Sequence, residues 1–189
     1  GLIATATLFT AFFIATWGQF NGEFTEVLVK SGEVTLMKID GFARIFEIIF
    51  LGAILLAAMA SLDRVPATTY EETDELDEMY NNRRQADFYI LMVTCALGMS
   101  VVALAQDLFV LFIGLELASF STYVLVAFLK ESKVGVESGI KYFIVGSVAS
   151  GVGLYGLSML YLWAGSLQFS VLSAAFAESG TTALPLIGI

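Results

Sequence analysis

The chain has 189 residues, of which 58% are hydrophobic and only 14% charged, with a formal net charge of -9. That balance excludes an ordinary soluble domain, and an acidic chain without a basic cluster is not built to bind nucleic acid. With no histidine and one cysteine, Cys95, no zinc or iron–sulfur set can be assembled. No metal site and no cofactor-binding residue is therefore expected here, and no phosphate-cradling glycine motif can be read.

Taken in chain order, five apolar runs are each near the ~20 residues that a helix needs to cross a bilayer. They cover about residues 2–17, 42–62, 88–106, 108–129 and 138–163. The first is short. Residues 18–40 join the first two spans, and 183–189 read as the stub of a sixth span or as a surface segment. Between the second and third spans lies the one long solvated stretch, residues 63–87. It holds eight of the 18 acids: Asp63, Glu71, Glu72, Asp74, Glu75, Asp77, Glu78 and Asp87. A short acidic helix from Glu71 to Tyr80 is expected within it, as a surface linker or as a docking surface for a neighbouring subunit. Spanning barrels alternate in pieces of about ten residues, and no such pattern is present. The expected class is all-α: a polytopic membrane helix bundle of about five transmembrane helices, forming one membrane domain over 1–189.

Loops must alternate between the two membrane faces. One face, side A, receives 18–40, the tight turn at Gln106–Asp107 and the tail from Ala164, with Lys30 and Lys38. Side B receives 63–87 and 130–137, with Arg64, Arg83, Arg84, Lys130 and Lys133. Because Lys and Arg set orientation, side B should face the cytoplasm or mitochondrial matrix.

Within the fourth run, LFVLFIGLELASFSTYVLVAFL, Glu116 is the only charge. It lies about 12 Å beyond the start of its helix, inside the hydrocarbon. A carboxylate there costs roughly 2.5 kcal/mol or more, which calls for a partner or a task. One reading protonates the carboxyl and bonds it to Ser119 or Thr122 on nearby turns. The other makes it an ion or proton site. Lys141, four residues after Glu137, could snorkel to the side B interface, or it could face the bundle interior and share a proton equilibrium with Glu116. Glu137 reads as a helix N-terminal carboxylate. Arg44 and Glu47 share a helical face at the start of the second span. Asp107 is placed to cap the fourth helix.

The fifth run is crowded with small residues, among them Gly139, Gly146, Ser147, Ser150, Gly151 and Gly153. Small residues four apart let helix backbones approach closely in lipid. They imply a helix enclosed by others, with Lys141 in a crowded interior.

The block GLELASFSTYVLVAFLKES, followed by VESGIKYFIVGSVASGVGLYGLSMLY, resembles the antiporter-like N subunit of respiratory complex I (NADH dehydrogenase subunit 2). The preceding DGFARIFEIIFLGAILLAAMASL and DFYILMVTCALGMSVVALAQDLFVLFIGLE resemble its earlier helices, so the likeness covers roughly residues 40–165. The resemblance implies a proton-translocating membrane-arm subunit of NADH:ubiquinone oxidoreductase, built on inverted five-helix repeats with a broken helix in each. The family's essential glutamate falls on Glu116 and the lysine of its sixth helix on Lys141, which makes these two the expected proton relay. FMN, iron–sulfur clusters and quinone would sit elsewhere in such a complex. The expected partners are the lipid bilayer and other complex I membrane-arm subunits, including a polypeptide that supplies the C-terminal half of the subunit. The start at Gly1 suggests a processed chain of the mitochondrial inner membrane, with a bacterial plasma membrane as the alternative. Two rivals remain: a subunit of a related cation/proton antiporter, and a purely structural membrane subunit.

Overall fold

The computed structural model describes residues 2–20, 26–32, 34–62, 75–128 and 133–179. Six helices and one hairpin follow in order: α1 (Leu2–Phe20), β1 (Glu26–Ser31), β2 (Val34–Ile39), α2 (Gly41–Ser61), α3 (Glu75–Leu104), α4 (Leu108–Val126), α5 (Lys133–Ala164) and α6 (Phe169–Ser179). Helices α1 to α5 are each long and apolar enough to cross a membrane. The fold is an all-α membrane bundle, and the chain is a multi-pass membrane protein.

Two aspartates act as caps, Asp107 as expected from the sequence and Asp40 in addition. Asp40 precedes α2 and its Oδ1 accepts from Ala43 N at 2.9 Å. Asp107 precedes α4 and accepts from Phe109 N at 2.8 Å and Val110 N at 3.4 Å, so it satisfies amides that the helix itself cannot. At the other end of α5, Gly165 has φ +70° and its N–H bonds Tyr161 O at 2.8 Å, a left-handed stop that suits glycine.

The main core lies between α1, α2 and α3. Leu8 and Ala15 meet Leu51, Ile54, Leu55 and Ala58 of α2, and Tyr89, Met92, Cys95 and Ala96 of α3. Near Gly18 on α1, a methyl group would collide with the Arg44 guanidinium, which places Arg44 across the end of α1. Helix α4 then packs on α3, and α5 packs on α4.

Three segments assigned to side A meet in one place. Gln106 N donates to Leu36 O (2.9 Å) in the hairpin, Leu108 N to Leu167 O (2.9 Å), and Phe169 N to Gln106 O (3.2 Å). The joining of 34–39, 105–108 and 167–169 is what alternating loops require. It also corrects the expectation for 18–40, which is more than a connection: β1 and β2 form an antiparallel pair closed by the Ser31–Val34 pairing, with Gly32 in the turn at φ +65°.

Three further differences stand out. The acidic stretch contains no separate helix at its end: 75–80 is the first part of α3, which runs unbroken to Leu104 because no proline or glycine interrupts it before Gly98. Its residues 63–74, including Asp63, Arg64, Glu71, Glu72 and Asp74, lie outside the described residues, as do Leu129, Lys130, Glu131 and the segment 183–189. An added short helix, α6, packs back so that the Phe176 and Trp163 rings meet in a tilted contact, centroids 4.7 Å apart. Finally, α5 is not enclosed by the described residues. Among the described residues its main packing partners are α4 and the short α6, and most of its surface is bare.

A carboxylate on the seam between α4 and α5

Helices α4 and α5 run antiparallel, and their contacts fix a register. Phe112 lies against Gly153, Glu116 against Ser150, Tyr123 against Gly146 and Ala127 against Gly139. On α4 the positions 112, 116, 123 and 127 fall on one stripe, because steps of four and seven residues nearly close whole turns. On α5 the matching stripe is 139, 146, 150 and 153. The small residues of α5 thus divide: Gly139, Gly146, Ser150 and Gly153 admit α4, whereas Gly151 faces open space.

The opposite side of α4 is held as closely. A methyl added at Gly98 of α3 would come within 2.6 Å of Ala118 N and 2.8 Å of Gly114 O. One added at Gly114 would come within 2.9 Å of Val102 N. These are backbone atoms, so α3 and α4 touch main chain to main chain, the kind of approach that van der Waals packing in lipid rewards. The helix that carries Glu116 is clamped on both faces.

Glu116 is half-buried, and Ser150 Oγ donates to its Oε1 at 2.6 Å. A hydrogen bond to a charged group contributes about 1.5–3 kcal/mol, the same order as the roughly 2.5 kcal/mol cost of a mid-helix carboxylate. The partner comes from the neighbouring helix. Thr122 Oγ1 instead donates to Ser119 O at 2.7 Å, so the bond to Ser119 or Thr122 envisaged from the sequence is not the one formed.

Lys141 does not reach this carboxylate. It lies two residues from Gly139, about 200° around the helix, and so points away from α4. There it pairs with Glu137 one turn earlier, and both side chains are mostly exposed. Nine residues separate Lys141 from Ser150, which is about 13 Å along the helix axis. The structure therefore brings together Glu116 and Ser150, and separately Lys141 and Glu137. It does not bring Glu116 and Lys141 together. Sequence reading grouped Ser150 with the packing residues; the signal that could have distinguished it is that it carries the sole hydroxyl among those four α5 positions.

Among the described residues no three His, Cys, Asp or Glu side chains converge as metal ligands. Cys95 lies in the apolar core.

Comparison with known proteins bears on what this seam is. A family model described as NADH:quinone oxidoreductase/Mrp antiporter, transmembrane, matches residues 105–188, which includes α4, the seam and α5. The NADH-quinone oxidoreductase subunit N of Parvibaculum lavamentivorans is 34% identical over 151 residues, covering 80% of this chain and 29% of the relative. That of Rhodospirillum rubrum is 37% identical over 154 residues, or 79% and 28%. Over about four-fifths of its length this chain is similar to subunit N. It spans under a third of the length of these relatives. A chain of the archaeal respiratory membrane complex named membrane-bound sulfane sulfur reductase shares the fold, with a TM-score of 0.75 at 21% identity over 98% of this chain and 36% of its own. A chain of respiratory complex I from Thermus thermophilus does so with a TM-score of 0.63 at 20% identity, over the same shares.

Proposed function

We propose that the chain is part of a proton-translocating membrane-arm subunit of NADH:quinone oxidoreductase, and that Glu116 is its proton-carrying group. The observation that carries the proposal is the Glu116–Ser150 contact: a carboxylate held at mid-membrane depth on a seam of closely packed helices. Its relatives support the reading, since they bear the name of that enzyme's subunit N. Quinone reduction would occur in other subunits, with FMN and iron–sulfur clusters there, and the perturbation would reach Glu116 through neighbouring charges. Other membrane-arm subunits, and a polypeptide supplying the remainder of this subunit, are the partners the proposal requires.

Lys141 enters as a second station rather than as the direct partner of Glu116. Glu116 sits about 12 Å in from the side A end of α4, and Lys141 about 12 Å in from the side B end of α5. The two groups are thus at different depths and on different faces of α5. A proton handed between them needs intermediate carriers, supplied by water or by chains packed on the bare face of α5. The charge count places side B in the cytoplasm or matrix. The membrane is either the mitochondrial inner membrane or the bacterial plasma membrane, and the bacterial origin of the relatives favours the second.

Replacing Glu116 with Gln in the assembled complex tests the proposal. The expected result is normal assembly with loss of proton pumping per electron. Unchanged pumping stoichiometry would refute it. The family model's second name favours one rival, a subunit of a cation/proton antiporter. Sodium-dependent transport without co-purifying flavin and iron–sulfur subunits would select that rival. In a purely structural subunit, Glu116→Ala would lower assembly and Glu116→Gln would change nothing.

A further inference from the structure

Ser150 makes two contacts that one hydroxyl cannot satisfy equally. Its Oγ lies 2.6 Å from Glu116 Oε1 and 3.0 Å from Gly146 O on its own helix. A serine hydroxyl has one proton to give and two lone pairs to receive. An ionised carboxylate only accepts, so Ser150 must then direct its proton to Glu116. A protonated Glu116 has a proton of its own to donate. Ser150 Oγ can then accept it and turn its proton to the Gly146 carbonyl, a local bond that serine makes readily within a helix.

We propose that Ser150 is a positioning residue for Glu116, a hydroxyl that reverses its hydrogen bond as the carboxyl gains and loses its proton. The inference rests on the reading of Glu116 as a proton-carrying group. The surroundings make the device effective. The spans 88–104 of α3 and 142–164 of α5 contain no charged residue, and α4 carries no charge besides Glu116. Arg84 and Asp87 on α3, and Lys133, Glu137 and Lys141 on α5, all lie toward side B. In such apolar surroundings a carboxyl that gains a proton keeps the same neighbour, and neither state leaves a polar group stranded, which would be costly. The seam holds the distance: Tyr123 against Gly146 and Ala127 against Gly139 prevent α5 from drifting away from Glu116.

The test uses the assembled membrane complex containing this chain, studied by infrared difference spectroscopy on reduction and by proton pumping in vesicles. The carboxylic C=O band of Glu116 is the one lost in the E116Q complex. In S150A that band is expected to move to higher wavenumber, because the acid loses its hydroxyl acceptor, and pumping per electron is expected to fall. S150T, which retains the hydroxyl, is expected to restore both. A serine needed only for packing would leave the band where it is. An unshifted band in S150A, with pumping abolished in E116Q, overturns the role of Ser150 and leaves the function of Glu116 standing. Normal pumping in E116Q overturns that function instead.

Discussion

Gly98→Ala tests the claim that α4 is clamped between two backbones. The added methyl would sit 2.6 Å from Ala118 N, 2.8 Å from Gly114 O and 3.0 Å from Ala118 Cα. None of these atoms belongs to a side chain that could rotate aside. To reach ordinary van der Waals separation, α3 and α4 must part by roughly 1 Å, and forced overpacking of this kind costs about 1–3 kcal/mol. Moving α4 outward offers no relief, because α5 lies on its opposite face with Tyr123 on Gly146 and Ala127 on Gly139. The proper control is Gly151→Ala, where a methyl meets nothing within 4 Å. Thermal unfolding of the detergent-solubilised chain should show G98A lowered by on the order of 5 °C relative to G151A. Equal midpoints would refute the close backbone approach. The same substitution should also lower pumping, since the displaced α4 carries Glu116.

Asp107→Ala should destabilise the chain by about 1 kcal/mol through loss of a helix cap, and Asp107→Asn, which keeps an acceptor oxygen, should recover most of it in the same unfolding assay; no difference between the two would show that the cap is idle. Gly165→Ala should cost about 1 kcal/mol because the position is left-handed, with Gly165→Asn costing less, and an A/N order reversed in melting would refute the stop assigned there. Removing Glu137 alone should harm assembly more than removing Glu137 and Lys141 together, because the single change leaves Lys141 without its counter-charge on a membrane-spanning helix. If Glu116→Gln, rather than Glu137→Gln, is the change rescued by loss of Lys141, the pairing on α5 is wrong.

Much of the fold was legible because lipid imposes a coarse requirement, about 20 apolar residues per crossing, that composition alone satisfies or fails. The five long helices follow from it, and Asp107 was recognisable as a cap from its place before an apolar run. The hairpin was harder. Its two strands of six residues lie between much stronger apolar signals, although the Ser-Gly dipeptide at 31–32, which ends β1 and opens the turn, was a usable mark. Helix α6, at 11 residues, is too short to register as a crossing. The site was only half legible. An isolated carboxylate in an apolar helix can be found by inspection, but its partner depends on which stripe of α5 meets α4, and helical phase alone leaves that open.

The phase, once fixed, changes the chemistry that can be expected of the lysine. If the stripe through Gly139, Gly146, Ser150 and Gly153 faces α4, then Lys141 must lie on the far side, and no rotamer of a four-carbon stem carries it around the helix to Glu116. The same steric fact that lets α5 approach α4 therefore separates the two charges. Its consequence is an asymmetry between the two faces of α5. One face holds the carboxylate through a neutral hydroxyl, which can answer a change of protonation without adding or losing charge. The other carries an ion pair, which answers a change of charge nearby by rearranging. A proton relay that used both would couple a local hydrogen-bond reversal on the α4 seam to electrostatics on the outer face, with the backbone of α5 as the rigid element between them.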